Sequence, residues 1–275
     1  MKRVIILFLV LLLTILTQVG GIVFLICLLI YPYSAQRLHS RPAIAFAKTG
    51  IFILLYALCS MTIVPYIAGK MGRVPLPVFR SEKGIASNSL MTCLLNRHYV
   101  RKEMMQTLDR ISDKMAKENG AVSICYLDAC FPFINGFPLL PHLSHNDGKK
   151  LDLTYYYTGK LSQQEVHGSP SWLGYGFCEE PTGDEVCTPC ECSRRGFYQY
   201  SMLKYLVRES LHKRYEVNTT KTAQLIRIIA AEPSISMIFI EPHLKQRWHL
   251  GDVQKIHFHG CHAVRHDDHI HIQIK

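Results

Sequence analysis

The amino-acid sequence predicts an α+β fold, in which helices flank an antiparallel sheet that follows two membrane-spanning helices. Three observations lead to this prediction. Two long apolar runs lie within the first 70 of the 275 residues. In the remainder, helical and strand patterns are mixed without the regular strand–helix–strand repeat of a parallel sheet. The chain ends in an apolar–polar alternation with a period of two, which is typical of a β-strand.

The first 70 residues are predicted to form a transmembrane helix pair. Residues 4–31 and 49–68 are apolar and uncharged, and a helix of about 20 residues is long enough to cross a bilayer. Lys2 and Arg3 before the first run also fit a cleavable signal peptide. Apolar sequence continues well beyond a cleavage point, however, and a second run follows. We therefore favour two helices that both remain in the mature protein and that each cross the membrane once.

The basic residues around these runs predict the orientation of the chain. Positive charge collects on the cytoplasmic side of membrane helices. The loop between the runs carries Arg37, Arg41 and Lys48, against Lys2 and Arg3 at the amino end. We therefore expect a protein of the cytoplasmic (inner) membrane whose carboxyl-terminal part faces the periplasm.

A linker and a folded domain are predicted after the second run. Residues 71–95 are basic and contain Pro and Gly, which indicates a linker, and the domain then extends over residues 96–275. An amphipathic helix opens this domain, and Asn119-Gly120 ends it. Its apolar side chains recur at helical spacing: Val100, Met104, Leu108, Ile111 and Met115.

The remaining elements of the domain are predicted from periodicity and from turn residues. Strands are expected over residues 121–127, 151–157, 235–240 and 269–275. Two further helices are expected over residues 197–215 and 222–231. The sequence predicts loops for residues 131–146 and, as an irregular insertion, for residues 160–196.

Ten cysteines indicate an oxidising compartment, and eight of them lie outside the apolar runs. An even number of domain cysteines favours disulfides. The alternative is a second, structural metal site, because the CxxCxC motif of Cys187, Cys190 and Cys192, with Cys178 nearby, is able to gather thiolates. Both interpretations remain open from the sequence.

The net charge of +10 does not indicate a nucleic-acid partner, because the basic residues are scattered and form no Lys/Arg-rich run. An anionic surface, such as a cell wall or lipid headgroups, fits the charge equally well. A generally basic, solvated surface is the simplest interpretation.

Histidines are concentrated at the carboxyl end of the chain. Seven of the fourteen fall within residues 249–275: His249, His257, His259, His262, His266, His269 and His271. Such a run also fits a simple metal-sequestering tract. On the terminal strand, however, a period of two places His269 and His271 on one face and the intervening isoleucines on the other. One face is therefore suited to a core and the other to ligands.

A candidate metal site combines this strand with the segment SHNDGKKLD. His145 ends a loop, Asp152 lies on a predicted strand, and His271 lies on the terminal strand. A set of one carboxylate and two imidazoles favours Zn²⁺, and we expect one ion per chain. Three protein ligands leave the fourth tetrahedral position of the ion to water. Zinc lowers the pKa of that water to about 7. His269, two residues before His271, is placed to handle protons as the catalytic residue.

Three sequence blocks carry a family resemblance: HLSHNDGKKLD (142–152), IFIEPHLK (238–245) and RHDDHIHIQI (265–274). In these blocks the chain resembles the LAS family of zinc peptidases and, within it, the penicillin-insensitive murein endopeptidases. The resemblance implies zinc on His145, Asp152 and His271, with His269 catalytic. It also implies a substrate among the peptide stems of peptidoglycan, cleaved between a D-Ala carbonyl and diaminopimelate.

Three further residues match the motifs of that family: His142, His266 and Asp268. The resemblance implies that they orient the metal ligands or contact the substrate. The alternative is that they are simply polar residues of solvated loops.

The sequence also departs from parts of the family pattern. Carboxypeptidase members carry an Arg upstream of the first ligand, whereas residues 126–140 contain no Arg or Lys. The absence of this carboxylate clamp favours cleavage of internal bonds. We therefore expect a membrane-anchored zinc endopeptidase of the cell wall. The alternatives are a zinc amidase or peptidase for another peptide, and a non-catalytic metal-binding or sensor domain.

Overall fold

The protein is described here by a computed structural model, which covers residues 2–35, 38–120 and 123–275. The helices are α1 (Lys2–Thr17), α2 (Gly20–Ala35), α3 (Arg41–Leu58), α4 (Val64–Lys70), α5 (Leu90–Leu94), α6 (Lys102–Asn119), α7 (Thr188–Arg194), α8 (Glu209–Arg214), α9 (Thr219–Ala231) and α10 (Pro242–Arg247). The strands are β1 (Arg73–Pro75), β2 (Ile85–Ser87), β3 (Tyr99–Arg101), β4 (Ile124–Tyr126), β5 (Lys150–Thr154), β6 (Tyr157–Gly159), β7 (Glu165–Val166), β8 (Tyr215–Val217), β9 (Ile235–Phe239), β10 (Ile256–His257) and β11 (His269–Ile274).

A six-stranded sheet in the order β10-β9-β11-β5-β4-β2 forms the centre of the domain. Its central pairs are antiparallel, but β10 pairs with β9 and β2 pairs with β4 in parallel. The α+β class is therefore confirmed, whereas the sheet is mixed rather than purely antiparallel. The difference arises because these two pairs are joined through intervening elements instead of tight hairpins.

The terminal strand β11 is predicted correctly, and it lies between β5 and β9. The side chains of Ile270, Ile272 and Ile274 are almost fully buried. They join one apolar cluster with the buried residues of α6 and α9. Burial of each such side chain contributes about 1.5–3 kcal/mol, so this face fixes which way the histidines of β11 point.

The predicted linker over residues 71–95 contains β1, β2 and α5. Strand β2 pairs with β4 and forms one edge of the main sheet. Ile85 on β2 and Leu76 before it are buried in the main apolar cluster. These residues are therefore part of the folded domain, because the apolar side chains between the Pro and Gly residues have a core to enter.

The prediction of one α-helix over residues 197–215 is wrong. A 3₁₀ helix (Tyr198–Leu206) and the short helix α8 replace it. Tyr200 is the buried residue of the 3₁₀ segment, while Tyr198 and Tyr205 remain exposed. The apolar side chains that pack against the core, Val207, Leu211 and Tyr215, lie at the carboxyl end of this segment. They do not form a continuous stripe along it that would stabilise one long α-helix.

The other predicted helices and strands agree with the structure apart from their ends, whereas the predicted loop over residues 160–196 contains β7 and α7. The helix expected over residues 222–231 is α9, which begins earlier because the Asn218 side chain accepts a hydrogen bond from the Lys221 N–H. The strand over residues 235–240 is β9. The strand over residues 151–157 ends at Thr154 as β5. Of the strand over residues 121–127, β4 is observed, and residues 121 and 122 lie outside the described part of the chain.

The prediction of two transmembrane helices is wrong for the first apolar run. That run forms α1 and α2, each of 16 residues, with Gln18 at a positive φ of 64° between them. The two helices approach so closely that a Cβ on Gly21 would lie 2.6 Å from the Val10 carbonyl oxygen. Among the described residues, one helix is long and apolar enough to span a membrane, Arg41–Lys70, and it includes a π-helical turn.

The amino-terminal helices contact the domain directly. The Oε1 atom of Gln18 accepts a hydrogen bond from the Phe133 N–H at 2.8 Å. Val19 packs with Val64 and Tyr99 in a second, small apolar cluster. The turn between α1 and α2 is therefore a docking element for the domain.

Two disulfides join cysteines of the domain, Cys187 to Cys190 and Cys192 to Cys261. A metal site made by Cys187, Cys190 and Cys192 is therefore not formed, because all three sulfur atoms are oxidised. Cys178 is a buried free thiol. The prediction of disulfides is confirmed for these four residues.

A buried histidine makes the stability of this fold depend on pH. His98 is 6% exposed, and burial lowers its pKa from 6.5 to about 4. As the pH falls below 6.5, the unfolded chain binds a proton that folded His98 does not bind. The stabilisation is therefore present above that pH and is lost as the pH falls toward 4, by about 3 kcal/mol from this residue.

We expect the variant His98→Asn to lose less stability than the unmodified chain between about pH 7 and pH 4. The free energy of unfolding, measured in detergent at both pH values by denaturant titration, tests this. An equal loss of stability in both proteins would contradict the assignment to His98.

Candidate metal centre

Three buried side chains converge where β11 pairs with β5. His271 on β11 lies directly opposite Asp152 on β5, and His145 comes from the loop before β5. The Nδ1 atom of His271 is 2.9 Å from Oδ1 of Asp152 and 3.1 Å from Nε2 of His145. The same Oδ1 and Nε2 atoms are 3.2 Å apart. The structure thus brings together the three predicted metal ligands.

The spacing of these three atoms fits a metal ion. Ligand atoms that bind a tetrahedral ion at about 2.0–2.1 Å lie about 3.3 Å from one another. The triangle formed by His145, Asp152 and His271 has edges close to that value, and the three residues form a group able to hold an ion. The cross-strand register of β5 and β11 produces this triangle, because directly opposite residues have adjacent side chains.

Two hydrogen bonds determine which ligand atoms face the centre. The Nδ1 atom of His145 donates to the Ala129 carbonyl oxygen at 2.8 Å, so the Nε2 atom keeps a free lone pair. The Tyr175 hydroxyl donates to Oδ2 of Asp152 at 2.8 Å, which leaves Oδ1 for the ion. Both ligands are therefore oriented before a metal binds.

The electrostatic environment favours the protonation states that a metal requires. Burial alone raises the pKa of Asp152, but the charges of His145 and His269 outweigh it and hold this pKa well below its usual value. Burial lowers the pKa of His271 to about 3, against the opposing effect of Asp152. An ionised carboxylate and a neutral imidazole are the metal-binding forms of these side chains.

His269 lies beside the triangle, with its Nε2 atom 3.7 Å from Oδ1 of Asp152. Its Nδ1 atom forms a hydrogen bond with Oδ1 of Asp268, and Oδ2 of Asp268 accepts from the Gly176 N–H. The Nε2 atom is buried and has no hydrogen-bond partner within residues 2–35, 38–120 and 123–275. The Asp268 contact therefore holds the ring with Nε2 available to the site.

The charge on His269 is stabilised by its carboxylate neighbours. Burial lowers the pKa of an imidazole, but Asp152 and Asp268 together raise the pKa of His269 to about 9. A metal cation on Asp152 would compete with this proton, so metal binding would release protons from the site.

His142 and His266 also lie at the site. The Nδ1 atom of His142 is 2.9 Å from Oδ2 of Asp128, which pairs with Arg97 at 2.7 Å. The ring of His266 is 4.9 Å from that of His269. Burial and the neighbouring histidines His269 and His271 hold the pKa of His266 well below its usual value. Both rings are buried, which does not fit the alternative of solvated loop residues.

A cavity of about 460 Å³ opens onto this group. The triangle residues line it together with His142, His266 and His269, and Leu140, Leu143 and Met202 contribute apolar surface. The side of the triangle that faces this cavity is therefore accessible to a small ligand or to part of a larger substrate.

Sequence reasoning missed three residues that support the site. Tyr175 orients Asp152, and Asp128 with Arg97 orients His142. Tyr175 comes from the cysteine-containing insertion, and Arg97 lies just after the predicted linker. The one available signal is Asp128, an acidic residue directly after a predicted buried strand. The other two are recognisable only once distant segments are brought together.

The chain has no match among models of known protein families, and no curated protein matches it. Functional inference therefore depends on the chemistry of the residues at this site.

The first prediction for the site concerns its metal content. The unmodified protein should bind one divalent metal ion per chain, and His271→Ala should weaken metal binding by more than about 100-fold, because a ligand is lost. His257→Ala removes an exposed histidine of the same carboxyl-terminal segment and should leave the metal content unchanged. Elemental analysis after dialysis against a chelator tests this. Full metal retention by His271→Ala would refute the ligand assignment.

The second prediction concerns the hydroxyl that orients Asp152. Tyr175→Phe removes the hydrogen bond to Oδ2 without removing the ring, so metal affinity should fall by about 10-fold or more. A competition titration with a chromophoric chelator measures the affinity. Unchanged affinity would show that Tyr175 does not hold the carboxylate in its binding geometry.

Proposed function

We propose that the protein is a membrane-anchored, zinc-dependent endopeptidase that hydrolyses peptide cross-links of peptidoglycan, between a D-Ala carbonyl and diaminopimelate. The observation that carries the proposal is the buried triangle of His145, Asp152 and His271, which opens onto a cavity. One carboxylate and two imidazoles, with one side left free, make up a donor set suited to catalytic zinc.

The residues around the triangle fit hydrolysis of an amide bond. His145, Asp152 and His271 would hold a zinc ion, which would supply Lewis-acid activation of water near neutral pH. His269 exchanges a proton at Nε2 with the scissile amide, while Asp268 holds the ring through Nδ1. His142 and His266 line the same cavity, where they contact the substrate or orient the ligands.

The cavity fits an internal bond better than a chain end. No Arg or Lys is found among the described residues that line it, so a bidentate guanidinium clamp for a terminal carboxylate is not formed there. Its apolar edge includes Leu140 and Leu143, both more than half exposed. These features support an endopeptidase over a carboxypeptidase.

Separate features support the proposed membrane attachment and the proposed location outside the cytoplasm. The helix Arg41–Lys70 is long enough to serve as the anchor. The bonds Cys187–Cys190 and Cys192–Cys261 suit an oxidising compartment. The proposed location is the cytoplasmic (inner) membrane, with the catalytic domain in the periplasm.

Digestion of peptidoglycan tests the proposed activity. The full-length protein in detergent should convert cross-linked, diaminopimelate-containing peptidoglycan into uncross-linked muropeptides, and a chelator should stop this conversion until zinc is restored. His269→Ala should lower the rate by about 100-fold or more, because proton transfer is lost, while the zinc content stays at one ion per chain. His257→Ala serves as the matched control and should cleave at the unmodified rate.

The alternative functions give different results in the same experiment. Zinc binding without any new muropeptide would contradict the murein proposal. That result would favour an enzyme for another peptide or amide, or a metal-binding sensor. Full activity of His269→Ala would refute the role of that histidine alone.

A further inference from the structure

The short helix α5 presents an apolar face to the outside of the domain. Leu90, Met91 and Leu94 are 55%, 53% and 57% exposed, whereas Cys93 on the opposite side is buried in the core. Leu90 and Leu94 are four residues apart and therefore share one face of the helix. Three large apolar side chains grouped in this way indicate an interaction surface.

A segment before β2 is tied to the buried side of this helix. The Tyr126 hydroxyl donates to the Pro77 carbonyl oxygen at 2.8 Å and lies 3.4 Å from the Cys93 sulfur. These contacts hold the Cys93 side of α5 against the domain, which leaves the other side facing outward. We call Leu90, Met91 and Leu94 the apolar patch.

The apolar patch lies next to the proposed membrane anchor. The Tyr56 hydroxyl, on α3, donates to the Leu94 carbonyl oxygen at 2.6 Å. The side-chain amide of Asn96 donates to the same hydroxyl at 2.9 Å and to Ser60 at 3.2 Å. These contacts fix the level along the anchor helix at which the patch is held.

That level falls inside the thickness of a bilayer. The hydrocarbon core is about 30 Å thick, and a helix rises about 1.5 Å per residue. With Arg41 at the cytoplasmic edge of the hydrocarbon core, Tyr56 lies about 22 Å further along the helix. This position is about 8 Å short of the far edge of the hydrocarbon core. The depth matches the about 5–10 Å to which an interfacial apolar surface enters a membrane.

We propose that the apolar patch is a second membrane contact, which enters the outer leaflet of the bilayer that the anchor helix crosses. The inference rests on the proposed membrane anchoring and does not require the proposed peptidase activity. Its occupant is lipid, because the patch is continuous with the helix and lies at acyl-chain depth. The contact would hold the metal-binding domain against the membrane surface instead of letting it move on a linker.

Quenching of tryptophan fluorescence by brominated lipids tests the contact. The full-length chain is reconstituted in vesicles of phosphatidylcholine and phosphatidylglycerol whose acyl chains carry bromine near the headgroups. The Trp172→Phe background removes the exposed tryptophan and leaves Trp248, which is buried. Leu94→Trp then places a probe in the patch, and Met91→Trp is a second, independent probe. Leu161→Trp, at a 99% exposed position in the turn between β6 and β7, is the matched control.

We expect brominated lipid to remove about half of the emission of Leu94→Trp and Met91→Trp, since both probes would lie about 5–10 Å inside the interface. Leu161→Trp should keep the emission that it has in unbrominated vesicles. The far-ultraviolet circular dichroism spectrum of every variant is compared with that of the unmodified chain to verify folding.

Two results would overturn the inference, and they are distinguishable. In the first result, the variants float with the vesicles, but neither patch position shows quenching. This result would support the membrane anchor and refute the contact of the patch with lipid. A chain that does not float with the vesicles refutes both the membrane anchor and the contact. Muropeptide release is measured separately, so failure of the peptidase proposal does not affect this test.

Discussion

The pairing of β11 with β5 is the constraint on which the rest of the site depends. It places His271 opposite Asp152 on one face of the sheet, while Ile270 and Ile272 enter the core on the other. A shift of one residue in this register would turn the isoleucines toward the cavity and the histidines into the core. The apolar face therefore determines the geometry of the polar face. Core packing and the candidate metal site depend on the same strand.

The buried carboxylates impose a second constraint, because an ionised group without a partner is costly in a protein interior. Asp152 is paired with Tyr175, Asp128 with Arg97, and Asp268 with the Gly176 N–H. These partners come from the segment before β3 and from the long insertion after β7. The disulfide Cys192–Cys261 closes a loop of 69 residues and ties α7 to the segment that holds His259 and His262 at the cavity. The insertion is thus part of the support of the site.

The sequence prediction of the fold failed where contacts between distant segments of the chain determine the structure. The first apolar run reads as one spanning segment, yet it breaks at Gln18, whose side chain accepts a hydrogen bond from the Phe133 N–H. Residues 71–95 resemble a linker in composition, yet Ile85 enters the core and β2 completes the sheet. Pairing across long separations in the chain leaves no local periodicity, so such elements are not recognisable from sequence alone.

The sequence by itself determined the α+β class, the alternation of β11 and the three residues of the metal triangle. These features depend on local periodicity and on the donor chemistry of His and Asp side chains, which the order of residues expresses directly. Only the tertiary structure decided the mixed sheet, the two disulfides and the contacts of Tyr175 and Arg97. It also decided that, in the part of the chain that is described, one apolar helix is long enough to span a membrane. Each of these depends on which distant segments meet in space, and that is set by packing of the whole chain.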